Sequence, residues 1–444
     1  MNAVLYNAAV KKTTSEGMFT TMSALDWKVP PSDVGVLREL AKRVYEASES
    51  PENKERIRLL YQHDTGPADR PVILCDTDGG IGMVIPDYAP KCREPWAQSL
   101  EYSLRGVLMH HEMIRDDEPV APWINVGWQI SISDYGVQLK STNPDLEPGQ
   151  KGAYHIDKVI ENLERDFDLL HPRAFSLDRE ASIARKALLE AVFDGILGVR
   201  MRGNPWWSMG LTYKAILLIG LEELMVYMYD QPEALHRLMA FLRDDNMALV
   251  DWMTRENLIT LNNENDYIGS GSRGYSHALP QPGRQLQAPV SAQDLWVLLE
   301  SQETVGVGPR QYEEFIYPYE NSLAQRFGGT YYGCCEPVNN RWEAVSNMAN
   351  LKRVSVSPWC DEEFMGEVLG DKIVYSRKPN PTLISTDVFN EDLIRADLRK
   401  TLSVTSKNHC STELVMKDVH TLNGEPDRLT RWVSIAREVI AEYY

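Results

Sequence analysis

The sequence is poor in the residues that cross-link a chain, anchor it in a membrane or spread it over nucleic acid. Six cysteines in 444 residues are too few for a disulfide scaffold; they imply a reducing, cytoplasmic setting in which grouped thiols serve metal or redox chemistry. The most apolar stretch, residues 215–225, is interrupted by Glu222 and Glu223 and is shorter than the roughly 20 residues that cross a bilayer. No membrane span is expected, and the N-terminus lacks the basic and apolar regions of a secretory signal. Basic residues are outnumbered, 46 Lys and Arg against 64 Asp and Glu, for a net charge of −18. That balance excludes the clustered positive charge that nucleic acid requires. Two fingerprints are missing, a G-x-x-x-x-G-K-[ST] loop and a G-x-S-x-G nucleophile elbow, and the one G-x-G-x-x-G spacing, at 269–274, lies within a glycine-rich loop and follows no expected strand. Dinucleotide, P-loop and serine-hydrolase readings therefore have no support.

What is present is a long alternation of strand and helix patterns. Residues 1–69 read as an N-terminal arm followed by accessory helices, with Ser32 or Asp33 capping a helix through Val34, Leu37, Leu40, Ala41 and Val44. Residues 70–444 read as one large domain. Short strand-like runs at 71–75, 123–133, 174–177, 199–202, 258–261, 295–299, 330–334, 353–357, 373–375 and 414–416 alternate with helical periodicity. The helical segments are 156–170, 181–197, 213–230, 232–256, 341–348, 362–369, 391–404 and 426–441. The count approaches eight units, so the expected fold class is α/β, a (β/α)8 TIM barrel with an N-terminal helical extension. The loop 262–287, rich in glycine and proline, is a candidate lid or binding loop.

In such a barrel the reacting groups come from the C-terminal ends of strands. Cys334, Cys335 and Glu336 follow one strand, Cys360 and Asp361 the next, Asp418 and His420 the last, and Glu300 to Glu303 an earlier one. Thiolate, imidazole and carboxylate converging on one rim suit Zn2+, which accepts S, N and O donors. The spacing from Cys335 to His420 matches no short local zinc motif, so the convergence carries the inference. His110-His111-Glu112 is not an H-E-x-x-H pair and reads as structural. Trp206-Trp207 and Tyr331-Tyr332 read as packing.

The chain from about Arg70 onward resembles the uroporphyrinogen decarboxylase superfamily. The likeness lies in Glu222-Glu223-Leu224-Met225 through Gln231-Pro232-Glu233, in Gly308-Pro309 with Glu314-Phe315-Ile316-Tyr317-Pro318-Tyr319, and in Gly333-Cys334-Cys335-Glu336-Pro337. Within it, 332–337, 354–359 and 414–421 are most similar to the corrinoid-dependent methyltransferase I components of O-demethylase systems. The Arg-rich signature of the decarboxylase proper is missing. The resemblance implies a (β/α)8 barrel of that type and a zinc-dependent enzyme of anaerobic one-carbon metabolism. Such an enzyme moves a methyl group from a methyl ether, a small methoxylated aromatic, to the cob(I)alamin of a separate corrinoid protein.

One departure stands out. Related methylcobalamin:coenzyme M methyltransferases bind zinc through His-x-Cys and a later Cys, whereas Tyr332 and Gly333 precede Cys334 and Cys335 by two, and His420 stands where the later Cys falls. The resemblance therefore implies Cys335 and His420 as zinc ligands, with Glu303 or Glu336 supplying oxygen. Two alternatives remain open at this point: a methylcobalamin:thiol methyltransferase, and a barrel that binds corrinoid or tetrapyrrole without turnover.

Overall fold

The computed structural model describes residues 27–138, 140–142, 155–204, 206–285 and 287–444. Residues 1–26 of the expected N-terminal arm lie outside that set. Helix α1 (Pro31–Glu49) begins on Pro31, whose missing N–H is no loss in a first turn. It buries Leu37, Leu40, Ala41 and Val44 at the spacing of one helical face. Asp33 does not cap this helix. Its carboxylate accepts from the Arg93 and Glu94 N–H groups, both at 2.9 Å, and so ties α1 to the start of a later helix. Ser50 ends α1 and caps α2 (Pro51–Thr65) by accepting from the Asn53 N–H.

Eight parallel strands follow, each leading into helical chain: β1 (Val72–Cys75), then α3 (Pro95–Met109), β2 (Trp123–Gly127) and α4 (Arg179–Phe193), then β3 (Gly198–Arg202). Helices α5 (Thr212–Ile219), α6 (Leu221–Asp230) and α7 (Pro232–Arg255) precede β4 (Trp296–Leu299). After it come α8 (Pro309–Phe315), α9 (Tyr317–Ala324), β5 (Gly329–Tyr332), β6 (Leu351–Val356), α10 (Glu362–Leu369), β7 (Val374–Arg377), α11 (Glu391–Lys407), β8 (Thr412–Met416) and α12 (Arg428–Ile440). Alternating side chains divide each strand between two faces. Val297, Leu299, Tyr332, Val354 and Val356 pack outward against the helices, whereas Leu298 and Tyr331 face inward.

The strands do not close into one hydrogen-bonded ring, as a complete (β/α)8 barrel would. Six form a parallel sheet in the order β1-β8-β7-β6-β5-β4, and β2 pairs in parallel only with β3. Side chains bridge both interruptions. Beside β1, the Asp117 N–H donates to the Ile73 carbonyl (2.7 Å), while the Asp117 and Asp116 carboxylates accept from the Ile73 and Cys75 N–H groups, each at 2.8 Å. Two carboxylates thus supply the acceptors a neighbouring strand would have supplied. Between β3 and β4 the expected strand 258–261 runs as irregular chain. Thr260 accepts from the Gly203 N–H, and the Asn262 side-chain amide bonds both the N–H and the carbonyl of Trp296 (2.9 and 3.0 Å).

Three other sequence expectations resolve differently. The run 174–177 becomes an antiparallel partner of Gln129–Ile132 outside the parallel set. The helix expected over 156–170 is reduced to Leu163–Asp166 and a 3-10 turn, because the Val159 and Ile160 N–H groups donate to the Leu218 carbonyl instead of to a helix of their own. The segment 213–230 breaks at Gly220, whose φ of +89° suits glycine. The segment expected as a lid or binding loop runs partly through the interior. Its hairpin, Tyr267–Gly269 with Ser272–Arg273, packs on the inner face of the sheet, where Ser270 and Ser272 have no exposure. A Cβ on Gly271 would lie 2.5 Å from Val415, and one on Gly269 2.6 Å from the Tyr331 ring, so the close approach depends on glycine. Among the described residues no helix is long and apolar enough to cross a membrane.

Gly203 tests the bridge between β3 and β4, because a Cβ there would lie 1.5 Å from the Leu258 carbonyl oxygen. Gly203→Ala is expected to cost about 3 kcal/mol in a urea denaturation experiment, the upper end of ordinary overpacking costs. Unchanged stability would show that the 258–262 segment is not packed there.

Candidate active site

The C-terminal ends of β1, β4, β5, β7 and β8 carry a concentration of ionisable groups. The loops after β1 and β8 are joined by hydrogen bonds from the Asp76 N–H to the Met416 carbonyl (2.7 Å) and from the Gly79 N–H to the Val419 carbonyl (3.0 Å). Several rim residues have left-handed backbone: Gly333 at φ +94°, Asp418 at +58° and Ser270 at +43°. For Asp418 and Ser270 this is a conformation held by surrounding contacts, of the sort that clusters at functional sites.

At the centre are the adjacent thiols of Cys334 and Cys335, with sulfurs 3.6 Å apart. The Lys417 Nζ lies 3.8 and 3.7 Å from them and 2.5 Å from an Asp418 carboxylate oxygen, which is itself 3.7 Å from the Cys335 sulfur. The Ser270 hydroxyl is 3.8 Å from the Cys334 sulfur. The hydrogen bond from the Cys334 thiol pulls the Cys335 thiol below its ordinary range; burial opposes this and the Lys417 charge assists it. The same hydrogen bond, with burial, pushes Cys334 up. One thiol therefore ionises more readily than the other, which is placed as its hydrogen-bond donor. Burial works against the Lys417 ammonium, but the Cys334, Asp418 and Cys335 charges hold it above the usual lysine range. Burial, with the charges of Asp76 and Asp418, raises Asp78 to about 6.

The four residues singled out from the sequence are placed as follows. Cys335 belongs to the thiol pair. Glu336 is fully buried directly behind it, and its two oxygens accept from the Cys334 N–H (2.8 Å) and the Ser301 N–H (2.9 Å). Its visible work is to fix the turn that presents the cysteines. Glu303 accepts from the Thr212 hydroxyl (2.7 Å) and stands in electrostatic contact with Glu300 and Glu336. His420 is exposed, its carbonyl seated against Gly79 and its ring charge felt by Asp78. Among the described residues, no group of three or more His, Cys, Asp or Glu side chains is arranged to hold a metal ion.

The groups that the structure does bring beside Cys335 are Cys334, Lys417 and Asp418. Lys417-Asp418, two residues before His420, was the available signal in the sequence; only the strand ending showed that both point at the β5 turn. Two thiolates on tetrahedral zinc, with bonds near 2.3 Å, stand about 3.8 Å apart, which the 3.6 Å between the sulfurs nearly matches. The thiol pair would offer a soft divalent ion two donors, with Asp418 the nearest oxygen; the Lys417 ammonium, which contacts all three groups, would have to give way to it. Glu300 adds a buried carboxyl whose pKa is raised well above the carboxylate range by burial, with Glu303 and Glu336 nearby.

No protein-family model matches the chain, and no curated protein matches it. Among 23 matching solved chains is a methyltransferase from Methanosarcina mazei, 12% identical over 86% of this chain and 97% of that one, with a TM-score of 0.48. Another is a glycoside hydrolase family 5 mannosidase from Rhizomucor miehei, 9% identical over 60% and 78%, with a TM-score of 0.27. Neither likeness is close enough to assign an activity.

The thiol electrostatics make a direct prediction. Alkylation of Cys335 by iodoacetamide, followed by peptide mass spectrometry across pH, should begin below the pH at which an ordinary thiol reacts. Lys417→Met should move that midpoint up by about one unit, because the nearest cation is removed. A midpoint unmoved by the substitution would show that Lys417 does not act on the thiol.

Proposed function

We propose that this chain is a zinc-dependent methyltransferase on a (β/α)8-type scaffold, moving a methyl group from a methoxylated aromatic to the cob(I)alamin of a separate corrinoid protein in the cytoplasm. The observation that carries the reading is the pair of adjacent thiols, one with a depressed and one with a raised pKa, at the C-terminal end of β5. The sequence resemblance at 332–337 and 414–421 points the same way.

Cys334 and Cys335 would hold the ion, with an oxygen from Asp418 or a nitrogen from His420 completing the set. Bound zinc supplies a Lewis acid that stabilises charge developing on the ether oxygen. The protein's share is placement and proton supply. The β5 turn, fixed by Glu336, sets the thiols in position, and the Ser355 hydroxyl, donating to the Cys334 carbonyl at 2.8 Å, braces the same turn. The methyl carbon leaves the ether oxygen and bonds to the acceptor's nucleophilic centre, while the C–O electron pair stays with the aryl oxygen. That phenolate needs a proton. Glu300, whose pKa burial raises and which lies within electrostatic reach of Cys334, is the group assigned to supply it.

The test is metal analysis with a methyl-transfer assay on reduced cobalamin, followed by the change in corrin absorbance. About one zinc per chain and turnover of a methoxylated aromatic are expected. Cys335→Ala should lose metal and cut the rate by about 100-fold, the scale of losing one ligand's contribution, and Glu300→Gln should lower the rate without loss of metal. Full metal content and full rate in both Cys335→Ala and His420→Ala would overturn the reading.

A further inference from the structure

At the end of the sheet opposite the thiols, a cavity of about 150 Å3 opens among the strand starts. Trp296 begins β4, Gly329 begins β5, Val374 begins β7 and Ser411 stands just before β8, and all four line it. The end of α2, through Gly66, closes one side. Part of the lining is apolar, with Trp296, Leu279 and Val374 all buried. The polar part has donors to spare. Among the described residues, the exposed Lys352 and Lys372 ammonium groups at this cavity have no hydrogen-bond or ion-pair partner. The chain has a net charge of −18, so acidic partners are plentiful, yet both cations are left to solvent. Ser276, 2% exposed, accepts from the Ala278 N–H at 3.0 Å, and its hydroxyl proton goes to no described acceptor. Other polar groups of the wall are matched: Asp64 holds the Arg353 guanidinium at 2.9 Å, and the Ser411 hydroxyl donates to the Gly66 carbonyl at 2.9 Å. Asp371, exposed beside Lys372, is the lining carboxylate that lacks such a partner among the described residues.

We infer that this cavity binds a small organic monocarboxylate, at a site separate from the candidate active site. Three uncommitted donors, two of them charged, require an acceptor that carries negative charge. Setting Asp371 against the two lysines leaves one net positive charge, and the C-terminus of α2 adds the negative end of a helix dipole. One negative charge is balanced there. A second one, as on phosphate at neutral pH, is not. The volume matches that of the apolar cavity that admits benzene, so about six or seven heavy atoms fit. The Trp296, Leu279 and Val374 surfaces reward an apolar body on the acid over a fully polar ion.

Calorimetric titration of the full chain with isovalerate, isovaleramide and inorganic phosphate tests this. Isovalerate should show saturable one-site binding, at least about tenfold tighter than its uncharged amide or phosphate. Lys352→Gln and Lys372→Gln, both at exposed positions, should each weaken isovalerate about fivefold, and Ser276→Ala should do the same. Asp371→Asn should tighten phosphate about threefold, the scale of one charge at an exposed rim. Cys335→Ala should leave isovalerate binding unchanged, because the thiols lie at the other end of β5. Absence of saturable isovalerate binding, equal binding of the amide, or phosphate binding as tight as isovalerate would each overturn the inference. So would undiminished affinity in the folded double variant Lys352→Gln/Lys372→Gln, or loss of binding in Cys335→Ala, which would move the ligand to the thiols. None of these outcomes touches the methyl-transfer reading, which is decided by metal content and turnover.

Discussion

Glu413, on β8, is a carboxylate with no exposure at all, and the inner face of the sheet is organised around it. A charge removed from water in this way is tolerated only when every lone pair has a partner and an opposite charge is close. Its oxygens accept from the hydroxyls of Ser272 (2.9 Å) and Ser376, lie 3.4 Å from the His63 ring and 3.8 Å from the Arg353 guanidinium. Burial would push the carboxyl up, but His63, Arg353 and Lys378 hold it well below the usual carboxylate range. Those partners come from α2, the interior hairpin, β6 and β7. One buried charge thus ties the N-terminal helices and the hairpin to the strands, and Arg353 extends the tie to Asp64 at 2.9 Å.

The polar interior continues toward the candidate active site. Ser376 also accepts from the Lys378 ammonium, which in addition donates to the Tyr331 hydroxyl at 2.9 Å. Burial brings Lys378 down to about 7, so this lysine carries only part of a charge at neutrality. Lys417, one strand over, is the opposite case, because thiol and carboxylate neighbours keep it charged. The difference gives the thiol pair one dependable cation. The same logic holds on the other side, where burial raises the Glu300 pKa well above the carboxylate range. The site's chemistry thus comes from which buried groups are allowed to ionise.

The late strands were legible because 330–334, 353–357, 373–375 and 414–416 are short runs of aromatic and β-branched or other strand-forming residues buried on both faces, a pattern that needs no partner to recognise. The strand expected at 258–261 has the same composition but runs as irregular chain, because the Asn262 amide and Thr260 supply from side chains the bonds a ladder would have made. Asp33 has the residue type of a cap and the position of one, yet its carboxylate is drawn to Arg93 and Glu94 across the fold. Glu336 has a ligand's chemistry and a ligand's place in sequence, but two backbone N–H groups claim its oxygens. Each of these outcomes turns on a partner distant in sequence, which local periodicity and residue type do not specify.

By itself the sequence determined the α/β class, the strand ends on which ionisable residues would gather, and the thiol pair at 334–335, because periodicity and adjacency are properties of the chain alone. Tertiary structure decided that the strands join as six and two, that the glycine-rich segment enters the interior, and that Lys417 and Asp418 face the thiols while His420 stays at the surface. It also decided which buried acids and bases carry charge. Burial and through-space neighbours set those equilibria, and neither exists until the strands have been brought together.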